Sequence, residues 1–231
     1  MKKILITPLL LLLLVTSFSQ DLNFDVRGKY RHPVNKEVLN SARSMGDIIP
    51  YYPAGWITGY VSVDISAITD DRTLTASGIN DILTEEQADL LHSATLGTDI
   101  EINIQYLSEN STTGKLENRK MNYTATLVPE TQAEFPDGYF QLRQYLQENA
   151  IDKISAEDSE QFEQAVVSFT VDEEGGIANA RISTTSGDQL IDGMLINAVN
   201  NMPKWKPAED SEGVRVKQEF EFSVQNANIG C

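Results

Sequence analysis

The chain has 231 residues, of which 41% are hydrophobic and 23% charged, so it is long enough for one large domain or two small domains with cores of their own. Its formal net charge of −16 at pH 7 repels the phosphates of nucleic acids and anionic lipid head groups, which argues against nucleic acid as a partner. A single cysteine, Cys231, leaves no intramolecular disulfide, so the fold must depend on its cores.

The first 19 residues have the layout of a secretory signal peptide. Two lysines precede the apolar run 4–15, and Ser17 and Ser19 fit a cleavage site that leaves Gln20 as the first mature residue. The run is shorter than the roughly 20 apolar residues that span a bilayer. We therefore expect signal cleavage, no stable membrane span afterwards, and a periplasmic or envelope-associated mature chain. An N-terminal segment retained as an anchor is the alternative.

A lead-in segment is predicted over residues 20–55, packed on a β-rich domain over residues 56–130. The β-rich domain begins with a strand in which Val61, Val63 and Ile65 alternate with other residues and therefore point to one side.

One short helix is predicted inside this domain. Thr84 and Gln87 have the spacing of a capping box, in which each side chain satisfies a backbone N–H that the helix leaves free. The helix should run to about Ala94, with Leu90 and Leu91 facing inward. Two more strands are predicted after it, over residues 99–107 and 120–128, joined by a long hairpin loop at 108–118.

A second domain is predicted over residues 131–231. Its apolar residues recur first at helical spacing, then with strand alternation, then again at helical spacing, and finally with strand alternation. The predicted order is helix, strand, strand, helix, strand, which gives an α+β fold with an antiparallel three-stranded sheet. Residues 135–138 open the first helix, in which Leu142, Tyr145 and Leu146 recur at helical spacing. The later elements cover residues 165–171, 177–183, 188–202 and 214–224.

Four short motifs in this domain resemble the TonB C-terminal family. They are a FPxG opening at 135–138, VVSFTVDEEG at 166–175, RISTTSGD at 181–188 and MPKWKPA at 202–208. The resemblance covers about residues 135–224, and its most specific piece is the pair Pro203 and Pro207 around Trp205. The usual Tyr-Pro pair after the first helix is replaced by Asn149-Ala150-Ile151. The segments 82–87 and 96–99 are also similar to a β-rich module found ahead of TonB-like domains in the Bacteroidota.

The resemblance implies that the last strand captures an extended segment of an outer-membrane receptor. An exposed strand edge offers unpaired N–H and C=O groups to which such a segment can add. The alternative is an ordinary edge protected by its charged residues. Trp205 is interpreted as a packed ring between sheet and helix, and the alternative is that it flanks the binding edge. The predicted partner-binding residues are Val214, Arg215, Val216, Lys217, Glu219, Phe220, Glu221 and Phe222, with Pro203, Trp205 and Pro207 as structural markers.

No residue pattern indicates catalysis, a cofactor or a metal. His32 and His92 are far apart in the chain and have no cysteine partners, and the acidic run 172–174 lacks the alternating ligand spacing of a calcium loop. We therefore predict a non-enzymatic periplasmic interaction module that binds an envelope or outer-membrane protein by strand addition. The alternative is a TonB-type energy transducer for outer-membrane transport, which requires the retained anchor. A strand-exchanged homodimer is a further expectation.

Overall fold

The computed structural model describes residues 22–69, 71–155 and 162–226, so the predicted signal peptide and Cys231 lie outside the described residues. Two separate hydrophobic cores organise these residues, each on one face of a sheet. The fold is α+β, as predicted from the sequence. One strand, β1 (Leu22–Gly28), precedes the first domain in sequence but belongs to the sheet of the second.

The first core lies under a five-stranded sheet. The elements of this domain are β2 (His32–Val34), α1 (Lys36–Ser41), α2 (Met45–Ile48), a 3₁₀ turn at Ala54–Trp56, β3 (Gly59–Ile68), β4 (Thr73–Gly78), α3 (Glu85–Ser93), β5 (Asp99–Glu109) and β6 (Leu116–Leu127). The strand order in the sheet is β2-β6-β5-β3-β4. All pairs are antiparallel except β2 with β6, which is parallel.

The capping box of α3 is confirmed, and it also connects the helix to the sheet. The Thr84 side chain accepts from the Gln87 N–H, and the Gln87 Oε1 accepts from the Thr84 N–H. Gln87 is fully buried, and its Nε2 donates to the carbonyl oxygen of Val63 on β3 at 2.8 Å. Leu90 and Leu91 face the core as expected.

Two expectations for the β-rich domain are corrected. Val61 does not face the core: it is 50% exposed, because a bulge between Tyr60 and Ser62 shifts the register against β5 by one residue. The long hairpin loop at 108–118 is largely strand, since Glu109 still pairs with Leu116.

The second core lies under a four-stranded sheet. Besides β1, the elements of this domain are α4 (Tyr139–Asn149), a 3₁₀ turn (Ile151–Lys153), β7 (Gln164–Val171), β8 (Ile177–Thr184), α5 (Gln189–Asn200), β9 (Ala208–Glu209), β10 (Arg215–Val216) and β11 (Gln218–Asn226). The strand order in the sheet is β1-β11-β7-β8, and every pair is antiparallel. Helices α4 and α5 pack on this sheet, and β9 and β10 form a separate small ladder.

The predicted lead-in segment is divided between the two cores. Leu22, Phe24 and Val26 of β1 are buried in the second core, whereas Val34 and Leu39 are buried in the first. The sequence prediction of one lead-in segment packed on the first domain therefore differs from the observed packing.

Candidate interaction edge of the C-terminal sheet

The last long strand, β11, lies between two neighbours. Phe222 stands opposite Val167 of β7 on one side and opposite Val26 of β1 on the other. The expectation that this strand is an exposed edge is wrong in this structure. All seven residues of β1 pair with β11, because its alternating apolar side chains extend the core that β11 already faces.

The predicted single strand at 214–224 is also corrected, since it divides at Lys217. Arg215 and Val216 form β10 and pair with β9 instead of joining the large sheet. Val214 is 54% exposed in the preceding turn. Lys217 points away from the core, and its Nζ lies 3.9 Å from Glu173.

The other predicted binding residues do lie together on β11. Phe220 and Phe222 are buried in the core. Glu219 and Glu221 alternate with them on the opposite side, where Glu221 stands opposite Arg27 of β1. The Lys29 Nζ lies 2.9 Å from a Glu219 carboxylate oxygen, with both side chains about half exposed. Water and salt screen such a pair, so its contribution to stability is small.

Helix α4 contributes two side chains that contact β1. Tyr139 and Arg143 are four residues apart, a spacing that places them on one helix face. The Tyr139 hydroxyl donates to Asp25 Oδ1 at 2.6 Å. Arg143 Nη1 donates to the carbonyl oxygen of Phe24 at 2.8 Å, and its guanidinium carbon lies 4.3 Å from the centroid of the Phe24 ring. β1 is therefore fixed both by backbone pairing with β11 and by side-chain contacts from α4.

The Phe24 ring of β1 contacts both α4 and β11. Besides the Arg143 contact, it packs edge-to-face against Phe222 with ring centroids 6.2 Å apart. Edge-to-face packing and a cation over a ring face are both favourable arrangements. Phe24 is 8% exposed although it lies on an outer strand of the sheet.

Trp205 lies within the second core, as the structural interpretation expected. Its ring is 5% exposed and has centroids 5.1 Å from Phe220, 5.5 Å from Phe135 and 6.0 Å from Phe169. Its indole N–H finds no acceptor among the described residues. Pro207 is buried and Pro203 is exposed. Trp205 therefore supports β11 from inside the core and does not border its outer edge.

Sequence reasoning missed Gln218, Tyr139, Arg143 and the whole of β1. Gln218 is 6% exposed at an inward position of β11, where its Oε1 accepts from the Ala133 N–H at 2.7 Å and its Nε2 donates to Gln132. A polar residue inside an apolar alternation was the available signal for this contact. For β1, the signal was the alternation of Leu22, Phe24 and Val26.

Two titratable groups beside the sheet have shifted pKa values for structural reasons. Burial raises the pKa of Tyr145, whose hydroxyl donates to the Ala198 carbonyl oxygen on α5. Burial alone would raise the pKa of Asp192, but hydrogen bonds from Thr185 and Ser186 outweigh burial and lower it. Tyr145 thereby connects α4 to α5, and Asp192 connects the β8–α5 link to the first turn of α5.

This architecture is a small α+β domain with a four-stranded antiparallel sheet in which β1 is an outer strand next to β11. Residues 155–224 match the family model of the Gram-negative bacterial TonB protein C-terminal domain, which confirms the resemblance in its motifs. The match covers just under a third of the chain. Comparisons with curated proteins and with solved structures found no match.

The matched family consists of interaction and energy-transduction domains without enzymatic activity, found in envelope proteins that contact outer-membrane proteins. Among residues 22–69, 71–155 and 162–226, no helix is long and apolar enough to cross a bilayer. The same residues hold no grouping of acidic, histidine or cysteine side chains suited to a metal ion.

Proposed function

We propose that this protein is a non-enzymatic interaction module of the cell envelope, which binds an extended segment of an outer-membrane or other envelope protein by strand addition at β11. The observation that supports this proposal is the β1–β11 ladder itself. The outer side of β11 accepts a strand over seven consecutive residue pairs and buries every second side chain of that strand.

Strand addition at this place uses the main chain for affinity and the side chains for selection. The backbone groups of β11 are available only where β1 does not use them. A partner segment must therefore take the position of β1, in the same antiparallel direction, with apolar side chains facing Phe222 and Val224.

The energy-transducer alternative requires the C-terminal sheet to reach away from the membrane that holds the anchor, and this arrangement limits that distance. Only residues 16–21 separate the apolar run that would serve as an anchor from the first residue of β1. Six residues span at most about 20 Å when fully extended. While β1 is paired with β11, an anchored chain would keep its C-terminal sheet beside the membrane that holds it. N-terminal sequencing of the protein from membrane and soluble envelope fractions tests this alternative, because an anchor requires a chain that begins at Met1.

Photo-crosslinking in cells that produce the protein tests the interaction. A photoreactive residue replaces Glu221, which lies at the solvent-facing side of β11, and in a matched control it replaces Gln105, which lies at an exposed position of the central strand β5. We expect an outer-membrane protein, identified by mass spectrometry, to be linked from position 221 and not from position 105. No envelope protein linked from position 221, or equal yields from both positions, would overturn the proposal.

A further inference from the structure

β1 occupies the β11 edge in the way a bound peptide would. It pairs with a strand about 200 positions later in the sequence, and only Lys29, Tyr30 and Arg31 connect it to β2 of the other sheet. It is also an outermost strand, with β11 as its one neighbour among the described strands. Outer strands with a single neighbour open more readily than central ones.

The contacts of β1 indicate which side chains a strand paired with β11 should carry. Leu22, Phe24 and Val26 enter the core at alternate positions. Of these three residues, Phe24 packs against the Phe222 ring and lies under the Arg143 guanidinium. The next residue, Asp25, accepts a hydrogen bond from the Tyr139 hydroxyl. An aromatic residue followed directly by an acidic one is therefore the pair that α4 contacts.

We propose that β1 is a displaceable resident strand, and that the β11 edge takes a partner protein segment with the same chemistry. That chemistry is an apolar alternation in which an aromatic residue is followed by an acidic one. Arg143 selects the aromatic residue, and Tyr139 selects the acidic residue. The inference rests on the proposed strand addition at β11, and it adds the chemistry of the partner and the presence of a competitor within the chain.

Competition within one chain sets the affinity that a partner experiences. A tethered strand acts at a high effective concentration, so a free segment binds weakly until β1 is weakened or displaced. The apparent affinity equals the intrinsic affinity multiplied by the fraction of molecules in which the edge is open. Weakening β1 must therefore strengthen the binding of a free segment.

The test uses the complete mature chain and a fluorescent peptide with the sequence of residues 22–28. Three forms are compared: the native chain, the F24A chain, and a locked chain. The locked chain carries N23C and Q225C at paired positions, joined by a disulfide, in a C231S background. We expect the peptide to bind the F24A chain at least about tenfold more tightly than the native chain. The locked chain should not bind it, and cleaving the disulfide should restore binding to the native level.

Equal binding to the locked and reduced chains, or no gain in the F24A chain, would overturn the inference. Circular dichroism checks that each form is folded. If F24A does not fold, hydrogen exchange of the native chain decides the matter. Excess unlabelled peptide should then remove the protection of the β1 amides and leave β7 protected, and full protection of β1 at saturating peptide would overturn the proposal.

Selection by α4 is tested with a double-mutant cycle in the F24A background. A peptide with asparagine in place of its aspartate should bind the chain with Tyr139 about threefold or more weakly than the original peptide, because the hydroxyl loses its charged acceptor. In the Y139F chain the two peptides should bind alike. The phenylalanine of the peptide is tested in the same way. A peptide with leucine in its place should bind the chain with Arg143 more weakly than the original peptide does, and the two peptides should bind the R143M chain alike. Unchanged discrimination in Y139F and R143M would overturn the selecting roles.

This peptide experiment and the crosslinking experiment fail independently. Crosslinking from position 221 with no binding of the peptide to the F24A chain would leave strand addition at β11 standing and overturn the inference that the partner segment has the chemistry of β1. A second copy of the chain carries the same β1 segment, so a concentration-dependent dimer that the locked chain cannot form would also support displacement.

Discussion

The backbone of Trp205 lies directly against Gly175, in the turn between β7 and β8. The Trp205 N–H donates to the Gly175 carbonyl oxygen at 2.9 Å. A Cβ atom at position 175 would lie 2.0 Å from the Trp205 carbonyl oxygen, and the φ of Gly175 is +80°. The hairpin turn and the Trp205 segment can therefore approach this closely only because residue 175 has no side chain.

Replacing Gly175 by alanine should destabilise the C-terminal domain strongly. The new methyl group would force the Trp205 segment away from β7, in addition to the strain of a left-handed backbone. Gly187 provides a matched control, because its φ is +88° and a Cβ atom there meets nothing within 4 Å. We expect G175A to lower the free energy of unfolding by at least about 2 kcal/mol more than G187A, measured by urea denaturation with circular dichroism. Equal losses would show that backbone strain alone explains the glycine.

Truncating Trp205 tests its role as a core residue. W205A removes a buried ring that contacts three phenylalanine rings, so the free energy of unfolding should fall by about 3–5 kcal/mol. Trp56, the other tryptophan, is 71% exposed, and W56A should change stability by less than about 0.5 kcal/mol. A small effect of W205A would contradict the packing described above.

Local patterns predicted much of this fold, because alternation and helical spacing report which side of an element is buried. The strand containing Ile100, Ile102 and Ile104 and the capped helix before it follow from neighbouring residues alone. Alternation alone gives the wrong side for Val61, because a single bulge between Tyr60 and Ser62 reverses the side to which Val61 points. A bulge depends on the partner strand, which no local window contains.

The interaction edge was harder to predict for a related reason. The composition of β11 indicates a strand with one buried face, but it does not tell how many neighbours that strand has. The neighbour is β1, whose Phe24 meets Phe222 across about 200 positions of sequence. Tyr139 and Arg143 acquire their contacts only once β1 is in place, so their role could not be inferred before the pairing was known.

Gln218 should connect the segment around Ala133, which lies between β6 and α4, to the sheet. Q218M leaves the Ala133 N–H buried without its acceptor, which should cost about 1–3 kcal/mol. The Ala133 amide should lose its protection in hydrogen exchange, while the amides of β7 keep theirs. Q225M is the matched control, because Gln225 is an exposed glutamine of the same strand. Unaltered exchange at Ala133 in Q218M would contradict the assigned contact.

Ionisation of Asp192 should make the free energy of unfolding depend on pH in the acidic range. Its carboxylate accepts from the Thr185 hydroxyl at 2.7 Å, and from the N–H and hydroxyl of Ser186 at 2.8 and 2.7 Å. These bonds join the β8–α5 link to the first turn of α5, and they lower the pKa of Asp192 in the folded state despite its partial burial. A lowered folded-state pKa means that the stabilisation is complete above the unfolded pKa of about 3.9 and is lost as the pH falls through the folded value.

D192N removes the charge and one acceptor, so at pH 7 it should lower the free energy of unfolding by about 1 kcal/mol, allowing for solvent screening. The difference between D192N and the unmodified chain should shrink as the pH falls below about 4, because the unmodified carboxyl then becomes neutral as well. Urea denaturation at a series of pH values measures this difference. D89N, at an exposed position of α3, is the control for the loss of a single carboxylate at the surface. A D192N difference that stays constant down to pH 2 would mean that the loss comes from altered packing and not from the charged hydrogen bonds.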